Sequence, residues 1–187
     1  MPARIRLPLA LYRRIRGISS AIAHRDPVSV RARSNLVAVT LKRLGNLDAI
    51  VAMGSDLHDL PLVMRQSSMP AATYDDGTFT LFLRYPDSDL RRDVFPIESV
   101  KIWAQRQATA CKYASIACVS TEWARKSVIE DFGVPPHKVR AVGIGHRPRW
   151  APQEARDWTR PRFLFVGINW KRKNGAAVVK AFARVRE

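Results

Sequence analysis

A strand, a helix and a second strand follow one another in residues 113–147, and this arrangement constrains the fold more than any other part of the sequence. The first strand is the apolar run 114–119, which has the length and the β-branched residues of a strand. The second strand is predicted over 138–142. Two strands joined by a helix within about 30 residues form a βαβ unit, the building block of a parallel sheet. The sequence therefore predicts an α/β fold.

The helix of this unit carries start and stop signals. Ser120 and Thr121 precede it, and both are residue types that cap helix N-termini. Gly133 follows its last apolar residue, and the two prolines after it prevent the helix from resuming. Its apolar side includes Trp123, which we expect to lie in the core.

Ligands of open parallel sheets bind where the strands end, which directs attention to the residues that follow each predicted strand. Ser120 and Thr121 follow the first strand of the unit, and His146 follows the glycine turn after the second. Each could contact a bound substrate. A helix cap is the preferred interpretation of Ser120 and Thr121, and a loop residue without a role is the preferred interpretation of His146.

Two more strands are predicted upstream, over 48–54 and 71–74, and polar residues follow both. His58 comes after the first of them, and Asp75 and Asp76 come directly after the second. A carboxylate at a strand end can hold or activate a substrate hydroxyl. The alternative, which we favour, is a turn in which Asp and Gly satisfy the turn geometry.

Other helices are predicted over 30–44, 79–92 and 96–111, with a break at Pro86 left open in the second and Pro96 as the first residue of the third. That helix has one predicted buried face, formed by Val100, Trp103, Gln107 and Cys111. Like Trp123, Trp103 is assigned to the core rather than to stacking on a ligand, because its spacing matches an apolar helix face.

Residues 1–25 contain six arginines and no acidic side chain, and their apolar residues recur at helical spacing. Three interpretations stay open. The segment could be a helix on an anionic membrane surface, a transit-type targeting sequence, or an ordinary helix with solvated arginines. The third is preferred.

The whole chain is strongly basic, with 32 lysines and arginines against 16 aspartates and glutamates and a formal net charge of +16. Such an excess favours polyanionic partners. An aromatic-basic RNA-recognition signature is missing from the sequence, as is any run of 18 apolar residues. The two cysteines indicate neither a disulfide framework nor a metal site, and we expect small core residues in a reducing compartment.

A second βα unit follows a segment rich in Pro, Arg and Trp, which we predict to be a linker over 147–161. The predicted strand is 162–166, and Gly167 turns the chain into a basic loop that contains Arg172 and Lys173. A helix to residue 186 comes next. A glycine turn, clustered cations and a helix N-terminus can bind phosphate. The alternative is a solvated basic loop.

Taken together, the motifs resemble a known enzyme family. The segment V-S-T-E-W-A-R-K-S-V-I-E-D-F-G-V-P-P-H-K-V, followed by F-L-F-V-G-x-x-W-x-R-K-N-G, is similar to the family-4 glycosyltransferases of the GT-B fold, also called glycosyl transferases group 1. The resemblance is most specific over 113–187. It implies a Rossmann-like N-terminal, acceptor-side domain over 1–146, and the first strand and helix of a donor-binding domain over 162–187.

The resemblance also assigns roles to residues of the basic loop. Lys173 matches the family lysine that contacts the donor diphosphate, with Arg172 and Gly167 in the same element. Ile168 stands where the family often has arginine, and the family's E-x7-E element has no counterpart before residue 187. We therefore expect the chain to be cut short and inactive alone.

The function implied by the resemblance is transfer of a sugar from a nucleotide-diphosphate donor to a hydroxyl of a carbohydrate or lipid-linked acceptor. The nucleotide-sugar is a co-substrate, and neither a cofactor nor a metal is expected. Asp75 and Asp76 are the catalytic candidates, and His58, Ser120, Thr121 and His146 are acceptor-side candidates. We expect a cytoplasmic protein, at the inner membrane face if residues 1–25 bind lipid, without a specific nucleic-acid partner. The alternative is a basic nucleic-acid-binding or membrane-associated, non-catalytic α/β protein.

Overall fold

The computed structural model of the chain describes residues 3–20, 22–65, 67–85, 88, 95–145, 159, 162–168, 170–171 and 173–186. The chain divides into two compact units, Met1–Ile144 and Gly145–Glu187. Of the predicted linker 147–161, only Thr159 is among the described residues.

The first unit is built on a four-stranded sheet in which all neighbouring strands are parallel. The strands are β1 Ile50–Met53, β2 Ala71–Asp75, β3 Ile116–Val119 and β4 Val139–Ala141. Each lies within one or two residues of a strand predicted from the sequence. The α/β class with a Rossmann-like parallel sheet flanked by helices is therefore confirmed.

The helices are α1 Ala3–Ile15, α2 Pro27–Leu44, α3 Leu60–Met64, α4 Phe79–Arg84, α5 Ile97–Tyr113, α6 Glu122–Glu130 and α7 Gly175–Arg186, with short 3-10 turns at Ser55–Leu57 and Pro136–Lys138. One helix boundary differs from the prediction, and another agrees with one of the two alternatives. Pro96 precedes α5 as its N-cap residue, and α4 ends at Arg84, in agreement with the break considered at Pro86, because Tyr85 already has an extended backbone.

The strand order explains which face of the sheet is covered. The order is β1-β2-β3-β4, so every connection steps in the same direction. Because parallel crossovers are right-handed in nearly all proteins, such connections place their helices on one face. On that face Thr73 is paired in register with Ala117 and Asp75 with Val119, and all four residues are buried.

The core lies between this face and the helices. Ala124 and Val128 of α6 pack with Val119 and Val139 in one cluster. The predicted buried face of α5 is confirmed, since Val100, Trp103, Gln107 and Cys111 are all buried.

The opposite face of the sheet is uncovered at β1. Val51 and Met53, which alternate with the half-buried Ile50 and Ala52, are exposed. Parallel sheets are normally covered on both faces, so this apolar surface is unusual for the architecture.

The placement of Trp123 in the core is wrong, because its side chain is 47% exposed. The face of α6 that meets the sheet carries Ala124, Ser127 and Val128 instead. These smaller side chains allow the short helix to lie close to β3 and β4, and the bulky indole is left outside.

Both cysteines are free thiols. Cys111 is buried, and burial, reinforced by the negative charge of Asp75, raises the pKa of its thiol to about 12. Because the thiolate is the reactive form, Cys111 is an inert core residue. Cys118 is half-buried on β3.

Candidate functional site

The carboxyl edge of the sheet joins the ends of β1 and β2 through a buried carboxylate. Asp75 accepts hydrogen bonds from the Ser55 backbone N–H at 3.0 Å and from the Ser55 hydroxyl at 2.7 Å. Burial raises the pKa of Asp75, and the hydrogen bonds from Ser55 oppose that shift. Both carboxylate oxygens therefore hold Ser55 in place, which favours a structural role for Asp75 over a catalytic one.

Asp76, the next residue, is the exposed carboxylate of this edge. Its backbone carbonyl accepts a hydrogen bond from the Ser120 hydroxyl at 2.7 Å, which ties the end of β2 to the end of β3. Among the described residues no side chain pairs with the Asp76 carboxylate. The Asp76 backbone is thus held in place, and its carboxylate is accessible to a ligand.

Ser120 and Thr121 have different roles. The Thr121 side chain accepts a hydrogen bond from the Ala124 N–H at 3.1 Å, so Thr121 is the N-cap of α6, as predicted. Ser120 does not cap the helix, because its hydroxyl is directed back to Asp76.

His58 is half-buried beyond the 3-10 turn that follows β1. Burial lowers the pKa of its imidazole, and the positive charge of Arg33 lowers it further. Arg33 in turn donates two hydrogen bonds to the Leu57 carbonyl. This environment favours the neutral form of the His58 imidazole.

A partly buried polar cluster next to the edge has no signature in the sequence. Arg25 donates to the Asp56 carboxylate at 2.5 Å, and its guanidinium lies 5.3 Å and 5.2 Å from the ring centroids of Phe79 and Trp103. Arg106 donates to the backbone carbonyls of Arg25 and Asp56. Burial raises the pKa of Asp56, while the charge of Arg25 opposes the shift.

Two cavities of the first unit lie elsewhere. A half-open cavity of about 500 Å³ is formed by α2, α3 and the segment before β2, with Lys42, Leu62 and Met69 in its lining. Met69 precedes β2, so this cavity lies toward the amino edge of the sheet. Another of about 510 Å³ lies over α5, beside Arg31 and Arg106. Neither includes Asp76, Ser120 or Thr121.

In the second unit residues 162–167 pair with no described strand, so the predicted strand 162–166 is not formed within the described part of the chain. A strand needs a neighbour for its backbone N–H and C=O groups. The segment is instead held to α7 by side chains, with Phe163 and Phe182 in edge-to-face contact at 5.2 Å.

The basic loop of this unit has a defined geometry at its glycines. The Lys173 stem lies against Gly167, since a Cβ at Gly167 would be 3.0 Å from the Lys173 Cγ. Gly175 has the Trp170 ring directly over it, and a Cβ there would come within 2.4 Å of that ring. The Asn174 carbonyl accepts from the Val178 N–H, so α7 begins immediately after the cations.

Several predicted features lie outside what can be tested on the described residues. His146 and Arg172 are not among them. Within the described part of the chain, no group of three or more His, Cys, Asp or Glu side chains could hold a metal ion. Over the same residues, no helix has both the length and the apolarity needed to cross a membrane.

No protein-family model, curated protein or solved structure matches this chain.

Proposed function

We propose that the chain is part of a nucleotide-sugar-dependent glycosyltransferase of the GT-B fold. The first unit would be its acceptor-side domain, and the second unit the beginning of its donor-binding domain. The observation that carries the proposal is the placement of Lys173 across Gly167, directly before the N-terminus of α7. The parallel α/β sheet and the motif resemblance over 113–187 support it.

The chemistry of this loop suits a diphosphate. The N-terminus of α7, a helix of 12 residues, carries the partial positive charge of the helix dipole, which favours an anion. Lys171 and Lys173 add two exposed cations, and Arg172 adds a third positive charge in the sequence. In a sugar transfer these cations stabilise the negative charge that develops on the leaving nucleoside diphosphate.

Asp76 is the acceptor-side residue that this function requires. Its carboxylate is exposed at the carboxyl edge, where a substrate hydroxyl can donate a hydrogen bond to it. Of the two carboxylates considered from the sequence, Asp76 alone is assigned this role. Both carboxylate oxygens of Asp75 already accept hydrogen bonds from Ser55.

The test is binding of UDP, GDP and ADP by isothermal titration calorimetry at two salt concentrations. Replacing Lys173 with alanine should raise the Kd for the preferred nucleotide by about tenfold or more, since a charge-assisted hydrogen bond is lost. Lys180→Ala is the matched control, because Lys180 is an exposed lysine of α7 and its loss changes the net charge equally.

An equal loss of affinity in both variants would mean that the excess positive charge binds the nucleotide without a site, and the proposal would fail. Absence of binding by the unaltered chain would have the same consequence. Tight binding of unrelated DNA with a steep salt dependence would favour the nucleic-acid-binding alternative instead.

A second function, attachment to an anionic membrane surface at the cytoplasmic face, is favoured by one observation on α1. Leu11 and Ile15 are 60% and 74% exposed and lie one helical turn apart. Arg14 and Arg16 beside them are also exposed. Apolar side chains flanked by arginines are typical of helices that lie in a membrane interface.

Co-sedimentation with vesicles of phosphatidylglycerol and of phosphatidylcholine tests this attachment. The unaltered chain should bind the anionic vesicles preferentially, and the double variant Leu11→Gln/Ile15→Gln should lose most of that binding. Val39→Gln, at an exposed position of α2, is the control. Unchanged binding of the double variant would exclude α1 as the membrane contact.

A further inference from the structure

Tyr85 and Trp123 form an exposed aromatic pair on the first unit. Their rings meet edge to face with centroids 5.4 Å apart, and the side chains are 52% and 47% exposed. Trp123 belongs to α6, and Tyr85 follows the last residue of α4. Neither ring is needed to fill the core, whose α6 contacts come from smaller residues.

The pair lies beside the carboxyl edge of the sheet. Trp123 is on the first turn of α6, two residues after the Thr121 cap. Ser120, the residue before that cap, is hydrogen-bonded to Asp76. The exposed carboxylate of Asp76 therefore lies at the same strand ends as the indole, while the Glu122 carboxylate is paired with Arg125 at 3.4 Å.

Flat apolar rings next to carboxylates have a particular chemical preference. The rings offer a surface to weakly polar C–H groups, and ionised carboxylates accept hydrogen bonds from hydroxyls. A pyranose ring has an apolar C–H face and a rim of hydroxyls, so it satisfies both.

We propose that Tyr85 and Trp123 are the stacking platform for a pyranose ring of the acceptor, with Asp76 as an acceptor of its hydroxyl hydrogen bonds. This inference rests on the proposed function and deepens it, because it assigns the acceptor to the saccharides.

The experiment measures binding of methyl glycosides of glucose, galactose, mannose and N-acetylglucosamine, and of the disaccharides cellobiose and maltose. Saturation-transfer NMR detects millimolar binding, and tryptophan fluorescence reports on the platform. For the best ligand, Trp123→Ala should raise the Kd by about tenfold. Trp123→Phe retains a ring and should stay within about threefold of the unaltered chain.

Tyr113→Ala is the matched control, because Tyr113 is an aromatic residue of similar exposure, 47%, at the C-terminus of α5. It precedes β3 and so lies toward the other edge of the sheet. Tyr113→Ala should leave saccharide binding unchanged. Circular dichroism and thermal unfolding of each variant confirm that the fold is retained.

The outcomes separate this inference from the proposed function. Lys173-dependent nucleotide binding without any saccharide binding would overturn the platform and leave the glycosyltransferase proposal standing. Loss of nucleotide binding in Trp123→Ala would show that the rings stack on a nucleobase, which also overturns it. Saccharide binding that Trp123→Ala weakens, and Tyr113→Ala does not, supports it.

Discussion

Replacing Asp75 with alanine is expected to lower the free energy of unfolding by about 3 kcal/mol, because two buried hydrogen-bonding groups lose their partner. Those groups are the backbone N–H and the hydroxyl of Ser55, which is itself buried. Urea unfolding followed by circular dichroism measures the change.

Two matched variants show whether the hydrogen bonds are the cause. Asp75→Asn keeps an oxygen for the Ser55 N–H, so its loss should be clearly smaller than that of Asp75→Ala. Asp76→Ala removes an exposed carboxylate and should stay within about 0.5 kcal/mol of the unaltered chain. If Asp75→Ala were no more damaging than Asp76→Ala, the link between β1 and β2 would not matter for stability.

The same residue gives a pH dependence whose direction follows from its burial. The pKa of Asp75 is raised in the folded chain above the ordinary value of 3.8, so the folded state holds the proton more tightly than the unfolded state. This tighter proton binding stabilises the folded state fully below pH 3.8, and the stabilisation is lost as the pH rises through the pKa of Asp75 in the folded chain. Asp75→Asn should remove this part of the dependence.

Replacing Arg25 with alanine is expected to lower the free energy of unfolding by about 2–3 kcal/mol. This is less than the loss from a fully buried ion pair that is deprived of one partner, because the Arg25 side chain is 30% exposed and Arg106 also offsets the Asp56 charge. Asp56 would remain buried with its carboxylate uncompensated by Arg25. The stacking of the guanidinium over Phe79 and Trp103 would be lost as well.

Chemical and thermal unfolding of three variants test this prediction. Arg14→Ala removes an exposed arginine of α1 and should be nearly neutral. The double variant Arg25→Met/Asp56→Asn removes both charges and should be less damaging than Arg25→Ala alone. A single variant as stable as Arg14→Ala would show that Asp56 is compensated without Arg25.

The strands could be predicted because each is a short apolar run followed by turn residues. This signal depends only on neighbouring residues in the sequence. The end of a helix can be predicted in the same way. Gly133, which follows α6, has a positive φ of 66°, a conformation that other residues avoid. The faces of long α5 were predictable for the same reason, because 17 residues give a clear period.

The face of α6 could not be predicted from periodicity alone. In a helix of nine residues, a face that includes Trp123 and one that includes Ala124 differ by a single position. Close packing on the sheet selects the smaller residue, and that selection depends on the distance between layers rather than on the sequence pattern.

The candidate site was predictable in position but not in detail. The strand ends identified Asp75 and Asp76, yet only the structure shows that Ser55 occupies the first and leaves the second exposed. The pairing of Arg25 with Asp56 spans 31 residues and follows no motif, so no local signal could have predicted it.

The exposed edge strand β1 affects how the protein behaves at high concentration. Among the described strands β1 pairs with β2 alone, so its outer edge offers unpaired backbone groups beside the apolar Val51 and Met53. Such an edge can add a strand from another molecule. Mutual repulsion between chains of net charge +16 opposes this self-association. Since salt screens that repulsion, the colloidal stability of the protein depends on ionic strength.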